Sequence, residues 1–249
     1  MSTNIIITYI MIILCLIPAR SGSKGILDKN IKILNGKPLI AHSIDQAKET
    51  KYYKNNQMRI VVTTDSEKYA NIAKEYGAEI PVLRPSEISQ DLSTDFEFMK
   101  HMIDYLKENE NYNPDMILQL RPTQPIRKIE DINKCLDLFI ENYQNYDSLR
   151  TIVPYDKSPF KMYEVKNNIL TPLFKTLTID ETNIIEPYNQ CRQLLPQTYL
   201  HNGYIDILKP YLLNDNKISG DKIYPYVMNK EDTIDIDTLE DWNKAYLNI

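Results

Sequence analysis

Strand-like and helix-like segments alternate along this 249-residue chain, and no other feature of the sequence restricts its fold as strongly. The short apolar runs MIILCLI, RIVVTT and DMILQL are typical of strands that are buried on both faces of a parallel sheet. Between them lie segments such as KPLIAHSIDQAKE and IEDINKCLDLFIENY, in which apolar residues recur at helical spacing. The alternation predicts an α/β fold with a mainly parallel sheet.

Local signals predict several element boundaries. Ser66 is a candidate N-cap for a helix over SEKYANIAKEY, and Gly77 lies just past its expected end. Thr94 and Glu97 have the spacing of a capping box and should open another helix. From about residue 155 to 200 the pattern loosens, and the segment TIDIDTLEDWNKAYL is expected to form a strand, an acidic turn and a final helix.

The composition narrows the class of protein. A hydrophobic fraction of 43% and a charged fraction of 25% are those of a soluble globular domain. The net charge of -5 disfavours a nucleic-acid partner, although a nucleotide ligand needs only a local basic patch. Three widely spaced cysteines form no CxxC pair, which disfavours disulfides or a zinc site and favours a reducing compartment. We therefore expect a cytoplasmic protein.

The N-terminal run NIIITYIMIILCLIP has some features of a signal peptide. No lysine or arginine precedes it, no small-residue cleavage site follows it, and it is short for a membrane span. We interpret MIILCLI as the first strand and expect no membrane association. One domain is then expected over residues 11–249, with residues 1–10 as an N-terminal extension and Met11 as an alternative start.

A basic turn, IPARSGSKGILDKN, follows this strand. It places Arg20, Lys24 and Lys29 around Gly22 and Gly25, two of only six glycines in the chain. Ligands of parallel α/β sheets bind beyond the carboxyl ends of the strands, and glycine-bearing turns can cradle phosphate oxygens. The turn matches neither the GxGxxG nor the GxxxxGKS/T motif. It indicates a phosphate site of another kind, with a plain solvated turn as the alternative.

Two aspartates near the C-terminus form a second candidate site. Asp235 and Asp237 are two residues apart, so an extended backbone would place both carboxylates on one face. Mg²⁺ favours such carboxylates together with phosphate oxygens. The alternative is that these acids only precede and cap the last helix, which is expected to begin near Thr238.

Six segments, taken in order, resemble the CMP-sialic acid synthetases (acylneuraminate cytidylyltransferases). They are IPARSGSKGILDKN with LNGKPLIAHSI, VVTTDSEKYANIAKEYGAE, VLRPSEISQD, LQLRPTQPIR, CRQLLPQTYLHNG and TIDIDTLEDW. The likeness covers nearly all of residues 11–249, and the shared order makes it specific although each motif is short. It implies a Rossmann-like nucleotide-diphospho-sugar transferase fold, a small dimerisation extension at about residues 155–200, and a homodimer.

The resemblance implies a nucleotidyltransferase that moves CMP from CTP to the anomeric hydroxyl of a nine-carbon sugar acid and releases pyrophosphate. Such a reaction depends mainly on positioning and charge neutralisation. One rival is a KDO-type cytidylyltransferase acting on an eight-carbon acid, whose branch usually lacks the SKG…KN form of the opening turn. Another is a non-catalytic nucleotide-binding descendant, which the retained Arg20, Lys29, Asp235 and Asp237 disfavour.

The resemblance also implies roles for single residues. Expected to bind the nucleotide are Arg20, Ser21, Gly22, Ser23, Lys24, Lys29, Asn30, Arg84 and Thr94. Expected to bind the sugar acid are Arg121, Lys161, Arg192, Gln193 and Asn202. Expected to be catalytic are Arg20, Lys29 and Asp237, and the expected Mg²⁺ ligands are Asp235 and Asp237.

Three positions depart from the family pattern. Arg121 replaces a glutamine that is common before the PTSP segment, and Gln124 replaces that segment's serine. We expect Arg121 to influence substrate choice. Asp95 stands where many members have a serine of the cytosine pocket, which leaves the base contacts there open. His201, beside Asn202, is open to a role on the substrate side.

Overall fold

The computed structural model describes residues 10–248, so most of the expected N-terminal extension lies outside the described residues. The helices are α1 Leu39–Glu49, α2 Lys51–Lys54, α3 Glu67–Glu75, α4 Asp95–Glu110, α5 Ile129–Glu141 and α6 Leu239–Asn248. The strands are β1 Ile13–Pro18, β2 Ile33–Leu34, β3 Lys37–Pro38, β4 Met58–Thr63, β5 Met116–Gln119, β6 Ser148–Tyr155, β7 Tyr163–Lys166, β8 Ile169–Pro172, β9 Thr176–Ile179, β10 Thr182–Ile185, β11 Thr198–Leu208 and β12 Ile223–Val227. Over this range, no helix combines the length and the apolar character that crossing a membrane requires.

Six strands form a central sheet in the order β12-β6-β11-β5-β1-β4. Strand β1 pairs in parallel with β4 and β5, and β12 pairs in parallel with β6. Strand β11 runs antiparallel to both of its neighbours, β5 and β6. The expectation of a mainly parallel sheet is confirmed. Because β1, β4 and β5 are parallel, the segments that follow them meet at one edge of the sheet.

Strand β1 is apolar at every position because both of its faces are covered. Ile13, Cys15 and Ile17 pack into one core cluster, while Leu14 and Leu16 pack into another on the opposite face. All five side chains are fully buried. The interpretation of this run as a buried first strand is therefore confirmed.

The predicted helix boundaries are also confirmed. The Ser66 side chain accepts a hydrogen bond from the backbone N–H of Tyr69, and Gly77 has a φ of 89° just past the end of α3. Thr94 and Glu97 form the capping box that opens α4. This box fixes where α4 begins, and it places Asp95 at the first helical position.

Residues 155–200 contain more regular structure than their sequence suggested. Strands β7 with β8 and β9 with β10 form two small antiparallel hairpins outside the central sheet. Each hairpin turns through two residues with positive φ, at 167–168 and 180–181. Because these turns use Asn-Asn and Asp-Glu rather than a glycine, the usual hairpin signal is absent. We call residues 155–200 the arm.

The strand expected within TIDIDT does not form. Residues 233–238 belong to no strand, and among their backbone groups Ile236 N donates to Thr123 O at 2.9 Å. The alternating pattern arises because Ile236 is buried between two exposed aspartates, and not because the segment joins a sheet. The expected final helix, α6, does follow.

Candidate active site

A pocket of about 390 Å³ opens where the segments that follow β1 and β5 meet. Its walls come from the basic turn after β1, from α4 with the segment before it, from the residues after β5, and from the segment before α6. Eight residues expected from the sequence line it together: Arg20, Ser23, Lys24, Lys29, Asn30, Arg84, Arg121 and Asp237. The structure therefore gathers most of the expected nucleotide-binding residues at the edge of the sheet where a parallel α/β fold binds ligands.

The basic turn is held in place by neighbouring polar groups. The buried Asn30 donates from Nδ2 to the carbonyl oxygen of Arg20 at 3.0 Å. The backbone N–H and the hydroxyl of Ser21 both donate to the carboxylate of Asp65, at 2.7 and 2.5 Å. Ser21 therefore shapes the turn through Asp65, which lies just beyond β4.

Two cations of the turn contact the same carboxylate, that of Asp91. Arg20 Nη2 lies 3.1 Å from Asp91 Oδ1, and Lys24 Nζ contacts the other oxygen, Oδ2. The hydrogen bond from Lys24 and, after it, that from Arg20 lower the pKa of Asp91 below its usual range. Asp91 thus sits against the two cations at which a phosphate group is expected.

Lys29 joins the turn to the segment before α6. Its Nζ donates to the carbonyl oxygen of Ile236 at 2.6 Å and lies 3.1 Å from Asp237 Oδ1. Gly25 makes this approach possible, because a Cβ there would lie only 2.6 Å from the carbonyl oxygen of Asp237. The two sequence signals, which Lys29 and Asp237 place 208 residues apart, therefore line one pocket.

The two aspartates of this segment differ in their relation to the pocket, because Asp237 lines it and Asp235 does not. Asp235 and Asp237 are exposed, whereas Ile236 between them is fully buried. The pKa of Asp235 is raised, mainly by desolvation of the Asp235 carboxylate and also by the negative charge of Asp237. A hydrogen bond with Thr123 acts in the opposite direction but does not cancel this increase. Within residues 10–248, no cluster of three or more acidic, histidine or cysteine side chains is arranged to hold a metal ion. Mg²⁺ needs only one or two carboxylates when phosphate oxygens complete its shell, so this donor pair fits.

Helix α4 and the segment before it form the opposite wall. Arg84 is buried, donates to the hydroxyl and carbonyl oxygens of Thr63 at 3.1 and 2.7 Å, and lies 4.7 Å from the centroid of the Phe98 ring. Burial lowers the pKa of Arg84 to about 10. Thr94 does not line the pocket, because its side chain takes part in the capping box, whereas Ser93 and Asp95 on either side of it do.

Arg121 is engaged by two carboxylates. Its Nη2 donates to Asp95 Oδ2 at 2.6 Å and its Nη1 donates to Asp206 Oδ2 at 2.5 Å. Asp206 also bonds Nε2 of His201 at 2.7 Å. Burial alone would raise the pKa of Asp206, but the bond with His201 and the charge of Arg121 hold it at about 2. Asp95 and Arg121, two of the three departures from the family pattern, are therefore partners in one ion pair.

Four residues expected to contact the sugar acid lie apart from this pocket. Arg192 and Gln193 line a second cavity of about 400 Å³ at the base of the arm, where Arg192 is 3.6 Å from Asp156. Lys161 donates to a backbone carbonyl of the arm at 2.6 Å. Asn202 lies in the irregular stretch of β11, and its side-chain oxygen accepts a hydrogen bond at 2.7 Å.

Three carboxylates that contact the basic turn or Arg121 were not identified from the sequence. Asp65 follows a buried strand directly, and that position could have identified it. Asp206 is a charged residue within the otherwise apolar run GYIDIL, which is also a usable signal. Asp91 lies in a polar loop and meets its partner 71 residues away, so no local pattern marks it.

This chain is similar to known proteins over most of its length. A model of the cytidylyltransferase family matches residues 14–195. The chain is 32% identical over 236 residues to the N-acylneuraminate cytidylyltransferase of Escherichia coli, an alignment that covers 94% of this chain and 51% of that protein. It is also 34% identical over 240 residues to the CMP-N,N'-diacetyllegionaminic acid synthase of Legionella pneumophila. That alignment covers 93% of this chain and 94% of that protein. The chain thus spans about half the length of some curated relatives that it matches and nearly all of others.

The fold is similar to a solved structure with a related title. The structure of CMP:2-keto-3-deoxy-manno-octonic acid synthetase complexed with CTP superposes with a TM-score of 0.66 at 15% identity, covering 95% of this chain and 97% of that one. At this level of identity the likeness concerns the fold alone. It confirms the predicted Rossmann-like nucleotidyltransferase fold.

Proposed function

The chain belongs to the cytidylyltransferase family, in the group of the CMP-sialic acid synthetases, and from that premise we propose that it transfers CMP from CTP to a sialic-acid-like nonulosonic acid. The observation that carries the proposal is the pocket in which Arg20, Lys24 and Lys29 face a common space with Asp237. Relatives at 32–34% identity that are named for N-acylneuraminate and for N,N'-diacetyllegionaminic acid support a nine-carbon acid.

The proposed reaction balances without a further reactant. The anomeric hydroxyl oxygen of the sugar acid bonds to the α-phosphorus of CTP, while the bond from that phosphorus to the oxygen bridging the β-phosphorus breaks. Pyrophosphate leaves, and the hydroxyl proton is released to solvent or to a nearby base. Arg20, Lys24 and Lys29 neutralise the triphosphate, and Asn30 holds the backbone of Arg20 in place.

Asp235 and Asp237 are the residues that would hold Mg²⁺. When bound, this ion supplies charge neutralisation at the α-phosphate and lowers the pKa of the attacking hydroxyl. The support is that the two aspartates are two residues apart and that the charge of Asp237 raises the pKa of Asp235. A cation between them would relieve that repulsion.

We further propose that the sugar acid is held partly by a second copy of the chain. Arg192 and Gln193 do not line the first pocket, and Arg192 is mostly exposed beside its own cavity. The arm also exposes apolar side chains that a single chain leaves uncovered: Val165, Ile169, Leu170, Leu173 and Ile185. A homodimer in which each arm completes the partner's site would cover these side chains and bring Arg192 to a substrate carboxylate.

The proposed setting is the cytoplasm. All three cysteines are free, and Cys15 and Cys135 are buried, which suits a reducing compartment. The net charge of -5 gives no support for a nucleic-acid partner.

Pyrophosphate release tests the proposal. Purified protein with CTP and Mg²⁺ would be assayed across N-acetylneuraminic, deaminated, legionaminic, pseudaminic and eight-carbon acids, with Asp237→Asn as the inactive control. Release with a nine-carbon acid is the expected result. Release with the eight-carbon acid alone would establish the KDO-type rival. Silence across the panel with CTP binding intact would favour a nucleotide-binding protein without transferase activity.

A further inference from the structure

Strands β5 and β11 stop pairing at the edge of the sheet beside the pocket. The last pair of this antiparallel ladder places Asp206 opposite Gln119. Continuing the same register by two residues would pair Arg121 with Tyr204. The backbone carbonyls of these two residues instead accept hydrogen bonds from a third residue, Arg127. The side chain of Arg127 therefore takes the place of the next pair in the ladder.

Arg127 joins the two strand ends through two of its nitrogens. Its Nε donates to the carbonyl oxygen of Tyr204 at 2.6 Å, and its Nη2 donates to that of Arg121 at 2.8 Å. The third nitrogen, Nη1, donates to Gln46 Oε1 at 2.6 Å and lies 3.4 Å from Ser43 Oγ, both on α1. These contacts fix the guanidinium in one orientation. A planar guanidinium offers donors in a rigid fork, whereas a lysine offers a single nitrogen.

The charge of Arg127 is buried among neutral partners. The residue is 3% exposed, and within residues 10–248 its hydrogen bonds go to carbonyl, amide and hydroxyl oxygens and to no carboxylate. Desolvation lowers the pKa of Arg127 to about 10, so the group is still charged at neutral pH. Burying a charge without a counter-ion is costly, and an apolar side chain could fill the same space without that cost. The cost favours a role for the two carbonyl bonds beyond filling space.

The two strand ends that Arg127 joins carry different parts of the proposed site. After β5, Arg121 lines the pocket, and the carbonyl of Thr123 accepts a hydrogen bond from the segment before α6. In β11, Asn202 lies two residues before the bonded carbonyl and is expected to contact the sugar acid. We infer that Arg127 is a positioning residue that holds the ends of β5 and β11 at a fixed separation, and so sets the distance between bound nucleotide and sugar acid. The inference rests on the proposed function, since its test measures the proposed transfer.

Kinetics and titration calorimetry test this inference on the wild type, Arg127→Lys and Arg127→Met. The lysine variant keeps the charge without the fork, and the methionine variant loses both. With the nine-carbon acid that the wild type uses best, kcat/KM for the acid should fall by about tenfold or more in both variants, because a misplacement of about 1 Å can cost that much. CTP affinity should change by less than about threefold, since Asn30 and Asp65 anchor the basic turn independently of Arg127.

Arg59→Met is the matched control for loss of stability. Arg59 pairs with Glu79 and Glu110 and does not line the pocket, so this variant loses an arginine and its bonds away from the site. It should have a lower melting temperature but keep the wild-type kcat/KM and CTP affinity. All rates are compared well below the melting temperature of each variant, so that only folded protein is measured. If Arg127→Met does not fold, Arg127→Lys decides the test.

The outcomes are distinguishable. A lower kcat/KM in Arg127→Lys with CTP affinity intact is the expected result. Full kcat/KM in Arg127→Lys would overturn the inference and leave the proposed function standing, because the two-point bond would then be unnecessary. Failure of Arg127→Lys to fold, or a parallel loss of CTP affinity and kcat/KM, would also overturn it, because Arg127 would then support the fold as a whole. A wild type that releases no pyrophosphate with any acid of the panel would contradict the proposed function, and the inference would fall with it.

Discussion

The pocket beside β1 and the arm are held together in different ways. In the pocket, hydrogen bonds join residues that are far apart in the chain, such as Ser21 with Asp65 and Lys29 with Asp237. In the arm, bonds such as that of 2.8 Å between Thr178 and Asn183 join residues of one hairpin, and the bond from Lys161 to the Gln190 carbonyl stays within the arm. The pocket is therefore fixed by the whole fold, whereas each hairpin is fixed mainly by itself.

The two regions also differ in what they expose. Residues 13–17 of β1, under the pocket, are fully buried, while in the arm Val165, Ile169 and Ile185 are 65–70% exposed. Exposed apolar side chains that cluster in one region commonly mark an interaction surface. The comparison supports the proposal that one chain completes the nucleotide half of the site, whereas the sugar-acid half needs a second chain.

The largest expected effect is the loss of turnover in Asp237→Asn, which removes a charge from the nucleotide half of the site. If Asp237 faces the reacting phosphates as proposed, its removal should lower turnover by about 100-fold or more, since an electrostatic contact in a transition state is worth that much. Turnover of purified variants measures the loss, and an unchanged melting temperature shows that the fold survives. Glu240→Gln, an exposed residue three positions along that pairs with Lys244, is the matched control. A near-normal rate in Asp237→Asn would remove this residue from the site.

Lys29→Ala tests the same half through binding alone. The alanine variant would lack the charged hydrogen bond that we propose between Lys29 and a phosphate, which should weaken CTP binding by about 1–3 kcal/mol. Calorimetry with CTP measures the change, and Lys54→Ala, at a surface ion pair with Glu49, serves as the control. Equal affinities for both variants would place the phosphate site elsewhere.

Leu170→Glu tests the arm. A charge on this exposed side chain should disrupt the proposed interface and lower turnover by about tenfold, since buried charges at interfaces are strongly unfavourable. CTP affinity should stay unchanged, because the pocket does not involve the arm. Sedimentation shows the oligomeric state, and Leu247→Glu on the exposed side of α6 is the control. If Leu170→Glu is monomeric and keeps full turnover, the sugar-acid half of the site does not need a second chain.

The smallest expected effect belongs to Asp91→Asn. Asp91 competes with the nucleotide for Arg20 and Lys24, so its neutral variant should bind CTP about two- to fivefold more tightly, the scale of an exposed ion pair. Calorimetry at low salt is the measurement. Weaker binding would mean that Asp91 positions the cations instead of competing for them.

The sequence predicted the elements whose signals are local. The buried strand β1, the cap at Ser66 and the capping box at Thr94 all follow from patterns within a few residues. The meeting of the basic turn with Asp237 was also foreseeable, because both resemble parts of one family's site.

The features that the sequence did not predict depend on contacts between segments that are distant in the chain. The ion pair of Arg121 with Asp95 and Asp206 brings together three parts of the chain, and no spacing in the sequence encodes it. The strand expected within TIDIDT was wrong because burial of Ile236 alone produces the same alternation as a paired strand. Such features depend on how distant segments pack together, and local sequence patterns carry no information about that packing.

A mixing experiment tests the central claim most directly. Asp237→Asn disables the pocket of its own chain, and Arg192→Ala disables its own arm, so each variant alone should be nearly inactive with the sugar acid. If each arm completes the partner's site, a mixed dimer has one intact site, and an equal mixture should recover about a quarter of wild-type turnover. Recovery of that size is the result expected here. No recovery in a mixture shown by sedimentation to contain mixed dimers would mean that each chain uses its own arm, and would contradict the account.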